Sequence, residues 1–158
     1  GVALSERLLE QAQPTLIGWR SLRHEASAGS SFHSDARRFE VATSCLPLCS
    51  GLATSLELLA AEGTANKRLE RIQAGSRRLW QGLQTITGVS TLLPEPPPAG
   101  LVSFTLAGLP SASVVEHLGA QGLWIRRLDE PDCLRACTHI TTTEAEIDKL
   151  LEALSALA

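Results

Sequence analysis

Hydrophobic and polar positions alternate with a readable period along most of this chain. From about Pro47 to Glu62, Cys49, Leu52, Leu56 and Leu59 fall at helical spacing on one face, and Gly63 follows as a stop. A second helix is expected from about Thr64 to Thr87, with Leu69, Ile72, Leu79, Leu83 and Ile86 as its buried stripe. Lys67, Arg68, Arg71, Arg77 and Arg78 lie mostly off that stripe, which predicts a solvated basic face. Val89–Leu93 and Leu101–Ala107 read as strands. Between them, Pro94-Glu95-Pro96-Pro97-Pro98-Ala99-Gly100 forms a stiff link that can be neither helix nor central strand. A helix over Ser111–Gln121 precedes two further strands, Leu123–Leu128 and Cys133–His139. The last helix opens with a capping box, Thr143-Glu144-Ala145-Glu146, in which Thr143 and Glu146 each satisfy a backbone donor. It then buries Ile147, Leu150, Leu151, Leu154 and Leu157.

From Val89 onward the order is therefore β-β-α-β-β-α, a small sheet with helices on one face, of α+β class. The two long helices before it form a connecting arm. Nearer the start, Ser5 caps a short helix that runs to Gln11 and that Pro14 ends. From Pro14 to Arg38 there is little periodicity, and glycines and serines surround Trp19, Arg20, Arg23, His24, Phe32, His33 and Arg37. A loop of that length inside a compact domain is functional or disordered, and the aromatics and histidines favour function.

Composition narrows the picture. A chain of 158 residues, 44% of them hydrophobic, has material for one core, so one domain or a small domain with an arm is expected. The net charge of −3 argues against a nucleic-acid or membrane-surface partner. No apolar run reaches the length of a bilayer span, and no signal peptide opens the chain, so a soluble protein is expected. There is no methionine, and Gly1-Val2-Ala3-Leu4 reads as the end of a strand, which leads to the expectation of a fragment of a longer protein. The four cysteines form two C-x₃-C pairs, Cys45/Cys49 and Cys133/Cys137. The spacing permits zinc, but an apolar helix and an alternating strand carry the pairs, so buried thiols in a reducing cytoplasm and no metal site are expected.

The candidate chemistry lies in the arginines of the last two strands. A period of two sets Cys133, Arg135, Cys137 and His139 on one face and Leu134, Ala136 and Thr138 on the other. In the preceding strand, Arg126 or Arg127 points the same way as Arg135. A guanidinium cannot shed its charge, so a shielded one needs a carboxylate or phosphate, and its planar fork suits a carboxylate. The arginines either pair with internal acids or solvent, or they form a site for a small carboxylate.

Arg38-Phe39-Glu40-Val41-Ala42-Thr43, then Leu134-Arg135-Ala136-Cys137-Thr138-His139 and Thr142-Thr143-Glu144-Ala145-Glu146-Ile147-Asp148, resemble the C-terminal part of class V pyridoxal-phosphate-dependent aminotransferase-fold enzymes. Within that family, RRFEVATS and DEPDCLRACTH are most similar to cyanobacterial-type cysteine or cystine C–S lyases. The resemblance implies the end of the large cofactor domain with its active-site loop over residues 1–45, connecting helices over 46–87 and a small C-terminal α+β domain over 88–158. It implies that Arg135 binds the substrate α-carboxylate, with Arg126 as a second arginine. It also implies that Thr43 reaches the phosphate of pyridoxal 5'-phosphate in the neighbouring subunit of a homodimer, and that Trp19, where many relatives have glycine, stands at the pocket entrance. Ala42 replaces the family's glycine.

The substrate implied is a small amino acid. The lysine that carries the cofactor is expected upstream of Gly1, because Lys67 and Lys149 match no part of its pattern; this chain alone is then inactive. Aminotransferase, epimerase and desulfurase are alternatives within the family. Desulfurase is disfavoured, since Ile125-Arg126-Arg127 stands where such enzymes carry a loop cysteine. A non-catalytic α+β module that binds a carboxylate or dimerises is the alternative outside it.

Overall fold

The computed structural model describes residues 2–25 and 29–158, so Gly1 lies outside the described residues. Two compact units divide the chain, Gly1–Leu58 and Leu59–Ala158.

In the first unit, Val2–Leu4 has no regular structure, contrary to the strand end read from the sequence. Helix α1, Glu6–Gln11, begins where Ser5 accepts from the Leu8 amide, as its capping chemistry predicts. The long aperiodic segment is not all loop. It contains an antiparallel hairpin, β1 (Leu22–Glu25) with β2 (Gly29–Phe32), and a 3₁₀ turn over Ala36–Phe39. Backbone pairing makes the hairpin, and its strands, Leu22-Arg23-His24-Glu25 and Gly29-Ser30-Ser31-Phe32, carry no hydrophobic alternation that would announce it.

Helix α2 runs Leu46–Ala61 and buries no side chain, so the apolar stripe at Leu52, Leu56 and Leu59 stands exposed.

Helix α3, Ala65–Leu83, is capped by Thr64 and buries Ser76, Leu79 and Leu83, while Leu69 is exposed. Its basic face is not simply solvated. Arg71 pairs with Glu62 at 2.7 Å and donates to the Ile140 carbonyl, and Arg78 forks onto Asp148 at 2.9 Å. Beyond it come β3 (Val89–Thr91), β4 (Leu101–Leu106), α4 (Ser111–Ala120), β5 (Arg126–Asp129), β6 (Asp132–Cys137) and α5 (Glu144–Leu157). This is the expected β-β-α-β-β-α order, and the fold is α+β. The last two strands are shorter than read, because Leu123–Ile125 approaches the sheet without pairing and Thr138–His139 leaves it.

The four strands form one antiparallel sheet in the order β3-β4-β6-β5. One face is the core. Val102, Phe104 and Leu106 of β4 and Leu134 and Ala136 of β6 meet Leu79 and Leu83 of α3, Val114 and Leu118 of α4, and Ile147, Leu150 and Leu154 of α5. The capping box is complete, with the Thr143 hydroxyl accepting from the Glu146 amide and the Glu146 carboxylate accepting from the Thr143 amide at 2.7 Å.

Gly100 and Thr138 fix the end of the β4–β6 pair. The Thr138 amide donates to the Gly100 carbonyl at 2.8 Å, and its buried hydroxyl lies 3.3 Å from the Ile72 carbonyl of α3. A Cβ on Gly100 would stand 2.1 Å from the Thr138 carbonyl oxygen, so only glycine fits there.

Candidate functional site

The face of the sheet turned away from the core carries Arg126 and Arg135. Arg135 is half-buried between two core residues, Leu134 and Ala136, so its side chain leaves the sheet on the opposite face. Register places Arg126 directly opposite Arg135, and Arg127 opposite Leu134. The two adjacent arginines of β5 thus take opposite faces and meet different fates. Arg127 is neutralised within its own hairpin, donating to Asp132 at 3.1 Å and lying 3.3 Å from Asp129. The guanidinium groups of Arg126 and Arg135 have no hydrogen-bond or ion-pair partner among the described residues. Like charges directly opposite on neighbouring strands are destabilising, and nothing in the described sheet compensates them. Pairing with internal acids is thus seen for Arg127, while the Arg126 side chain is exposed to solvent.

A two-residue turn, Glu130-Pro131, joins the two strands through a cis peptide bond. It sets the register that brings Arg126, rather than Arg127, across from Arg135.

Cys133 is fully buried, whereas Cys45, Cys49 and Cys137 are exposed free thiols, which corrects the expectation of four buried ones. Both Cys133 and Cys137 belong to β6, as the alternation predicts, and neither is on a loop. Among the described residues no group of three or more His, Cys, Asp or Glu side chains could hold a metal ion.

The first unit holds Trp19 and Thr43. Buried Ser21 accepts from the Gly18 amide and donates to the Glu40 carbonyl at 2.7 Å, while Arg20 pairs with Glu40 at 2.9 Å and donates to Ser44. These bonds clip the Gly18–Ser21 turn onto the Glu40–Ser44 segment. Gly18 is required there, since a Cβ would stand 1.8 Å from the Val41 carbonyl oxygen. Arg38 ties the same segment to the end of α1, donating to the carbonyls of Leu9, His33 and Ser34. The Arg37 guanidinium donates to the Asp35 carboxylate and holds it down at about 2.

Trp19 is 61% exposed, with the Arg20 guanidinium 6.0 Å from its ring centroid. Thr43 is exposed three residues before α2, and among the described residues its hydroxyl has no partner. Sequence reasoning named Arg135, Arg126, Thr43 and Trp19 as candidates but did not find the clasp of Gly18, Ser21 and Glu40. Its signal, a glycine and a serine three apart, is too common to stand out.

The sequence matches the family described as aminotransferase class-V over residues 1–150, and the chain belongs to that family. It is 38% identical to the protein in the solved structure of a C-DES mutant with glycine covalently linked to its pyridoxal phosphate cofactor, with a TM-score of 0.91 over 96% of this chain and 40% of that one. The complex of the cystine C–S lyase C-DES with its reaction product cysteine persulfide gives 38% identity and a TM-score of 0.90 over the same shares. Among curated proteins, 8-amino-7-oxononanoate synthase 1 of Polaromonas sp. (strain JS666 / ATCC BAA-500) is 35% identical over 120 residues, covering 70% of this chain and 28% of that protein. The chain thus spans less than half the length of these relatives. No helix among the described residues is long and apolar enough to cross a membrane.

Proposed function

We propose that this chain supplies the substrate-carboxylate site of a pyridoxal-phosphate-dependent class V enzyme, a cysteine or cystine C–S lyase acting on a small amino acid. The observation that carries the reading is the row of two facing, unpartnered arginines. Two positive charges held side by side on a rigid sheet call for an anion, and a planar carboxylate matches the guanidinium fork. The 38% identity to the C–S lyase over 96% of the chain favours this reaction over others in the family.

When bound, pyridoxal phosphate supplies an electron sink for the substrate carbanion. The part of Arg135 is to fix the amino acid by its carboxylate so that the breaking bond has a defined direction, and Arg126 adds a second contact. The residues that face the cofactor in this reading fit an anionic group. Thr43 offers a free hydroxyl just before a helix, where unpaired amides and the helix dipole favour phosphate. We assign this contact to the phosphate in the neighbouring subunit of a homodimer, and Trp19 to the entrance of the pocket. Free thiols fit a reducing cytoplasm.

Steady-state kinetics and thermal melts of Arg135→Ala and Arg135→Lys in the full-length protein test the reading. Truncation to alanine is expected to lower kcat/KM by about 30-fold to several thousand-fold, the equivalent of roughly 2–5 kcal/mol. Lysine keeps the charge and loses the fork, so it should also be costly. Folding should survive both changes. An unstable variant with near-normal kcat/KM per folded molecule would overturn the assignment.

A further inference from the structure

We infer that the hydroxyl of Ser103 is a third donor to the anion held by Arg126 and Arg135, so that recognition runs in one row across β5, β6 and β4. The inference rests on the carboxylate reading above and adds a residue to it. Register places Ser103 directly opposite Arg135 on the side away from Arg126. Residues so paired have Cβ atoms about 4.5–5.5 Å apart, so a ligand lying over Arg135 is within reach of both neighbours. The alternation of β4 confirms the face, since Val102 and Phe104 are fully buried in the core and Ser103 between them is half-buried on the other side.

The Ser103 hydroxyl also differs from the shielded serines of this chain. Ser21 donates to the Glu40 carbonyl and Ser76 to the Gln73 carbonyl, whereas the hydroxyl of Ser103 has no partner among the described residues. Half-buried sheet positions favour β-branched and aromatic residues, which pack better than serine. Here serine places a small neutral donor beside two guanidinium groups. Charge alone would hold any anion. A directional donor at one end of the row favours a carboxylate, whose second oxygen has a lone pair to offer it, over a spherical halide.

Titration of the 158-residue chain, labelled with ¹⁵N-arginine, with sodium acetate and separately with sodium chloride tests this. The Nε–H resonances of Arg126 and Arg135 are expected to shift saturably with acetate. Ser103→Ala should weaken acetate binding about 3–10-fold and leave the chloride response unchanged, and Ser103→Thr, which keeps the hydroxyl, should bind within about twofold of the parent. Equal acetate affinity in the parent and Ser103→Ala would overturn the role of Ser103 and leave the arginine site standing. If acetate moved the Arg135 resonance of the parent chain no more than chloride does, the carboxylate site itself would fall, and this inference with it.

Discussion

Arg135 and Arg126 illustrate what a single residue can and cannot announce. The alternation of β6 is written in its side chains, so the exit of Arg135 from the non-core face was legible. Which of the two arginines in β5 faces it was not, because register depends on the Glu130-Pro131 turn and a shift of one residue exchanges the faces. Ser103 was further out of reach, because β4 and β6 are separated by a helix and a strand, and no local spacing records their pairing.

Glu146 was fully legible, and it carries a prediction. Hydrogen bonds from the backbone and then the side chain of Thr143 hold its carboxyl below the usual 4.5. A depressed folded value means that the carboxylate's contribution is complete above 4.5 and fades as the pH falls through the lower folded value. Thermal melts across the acid range should show a shallower acid loss in Glu146→Gln than in the parent. Identical acid profiles would remove Glu146 from the stability of α5. Thr143→Ala, which removes the cap itself, should cost about 0.5–2 kcal/mol at neutral pH.

Among the elements, the helices were legible and the hairpin was not. Caps at Ser5 and Thr143 mark the starts of α1 and α5 in the sequence, and a 3.6-residue apolar period marks α3 and α5. The period of α2 is equally clear, yet its stripe is exposed, since periodicity tells which face is apolar and not what covers it. The pair β1 and β2 is a backbone pairing without a hydrophobic period and leaves no such trace. The β4–β6 pairing depends on Gly100, whose place was read only as the end of a proline link. Gly100→Ala drives a Cβ against the Thr138 carbonyl, which is backbone and cannot swing aside, and brings it within 3.0 Å of Ile72. The expected cost is about 1–3 kcal/mol, seen as a fall of several degrees in Tm. An unchanged Tm would mean that the strand ends can part without loss, and that the Gly100–Thr138 contact does not fix the arginine strand.

For the whole molecule, the α+β architecture followed from the element order, and the family followed from a few short motifs. The reaction does not follow from either, because the chain spans 40% of the C–S lyase structures it resembles. In the proposed function, Thr43 connects the chain to a larger assembly. In the full-length protein, Thr43→Ala should weaken binding of pyridoxal phosphate by about 1.5–3 kcal/mol, the worth of a hydrogen bond to a charged group. Cofactor titration read by absorbance would measure this, and sedimentation would report the dimer. Unchanged affinity, or an active monomer, would remove Thr43 from the phosphate site.

The strand order has a further consequence. In β3-β4-β6-β5 the first and last strands each leave one row of backbone amides and carbonyls unpaired, and such rows invite the sheet of another molecule to join on. The two margins are guarded by different means. At one, β3 is only Val89–Thr91, and the prolines from Pro94 onward cannot donate to an incoming strand. At the other, three of the four residues of β5 are charged, Arg126 and Arg127 followed by Asp129. Arg126, to which we assign an anion on the sheet's open face, thus also places a charge on the margin where another strand would have to join.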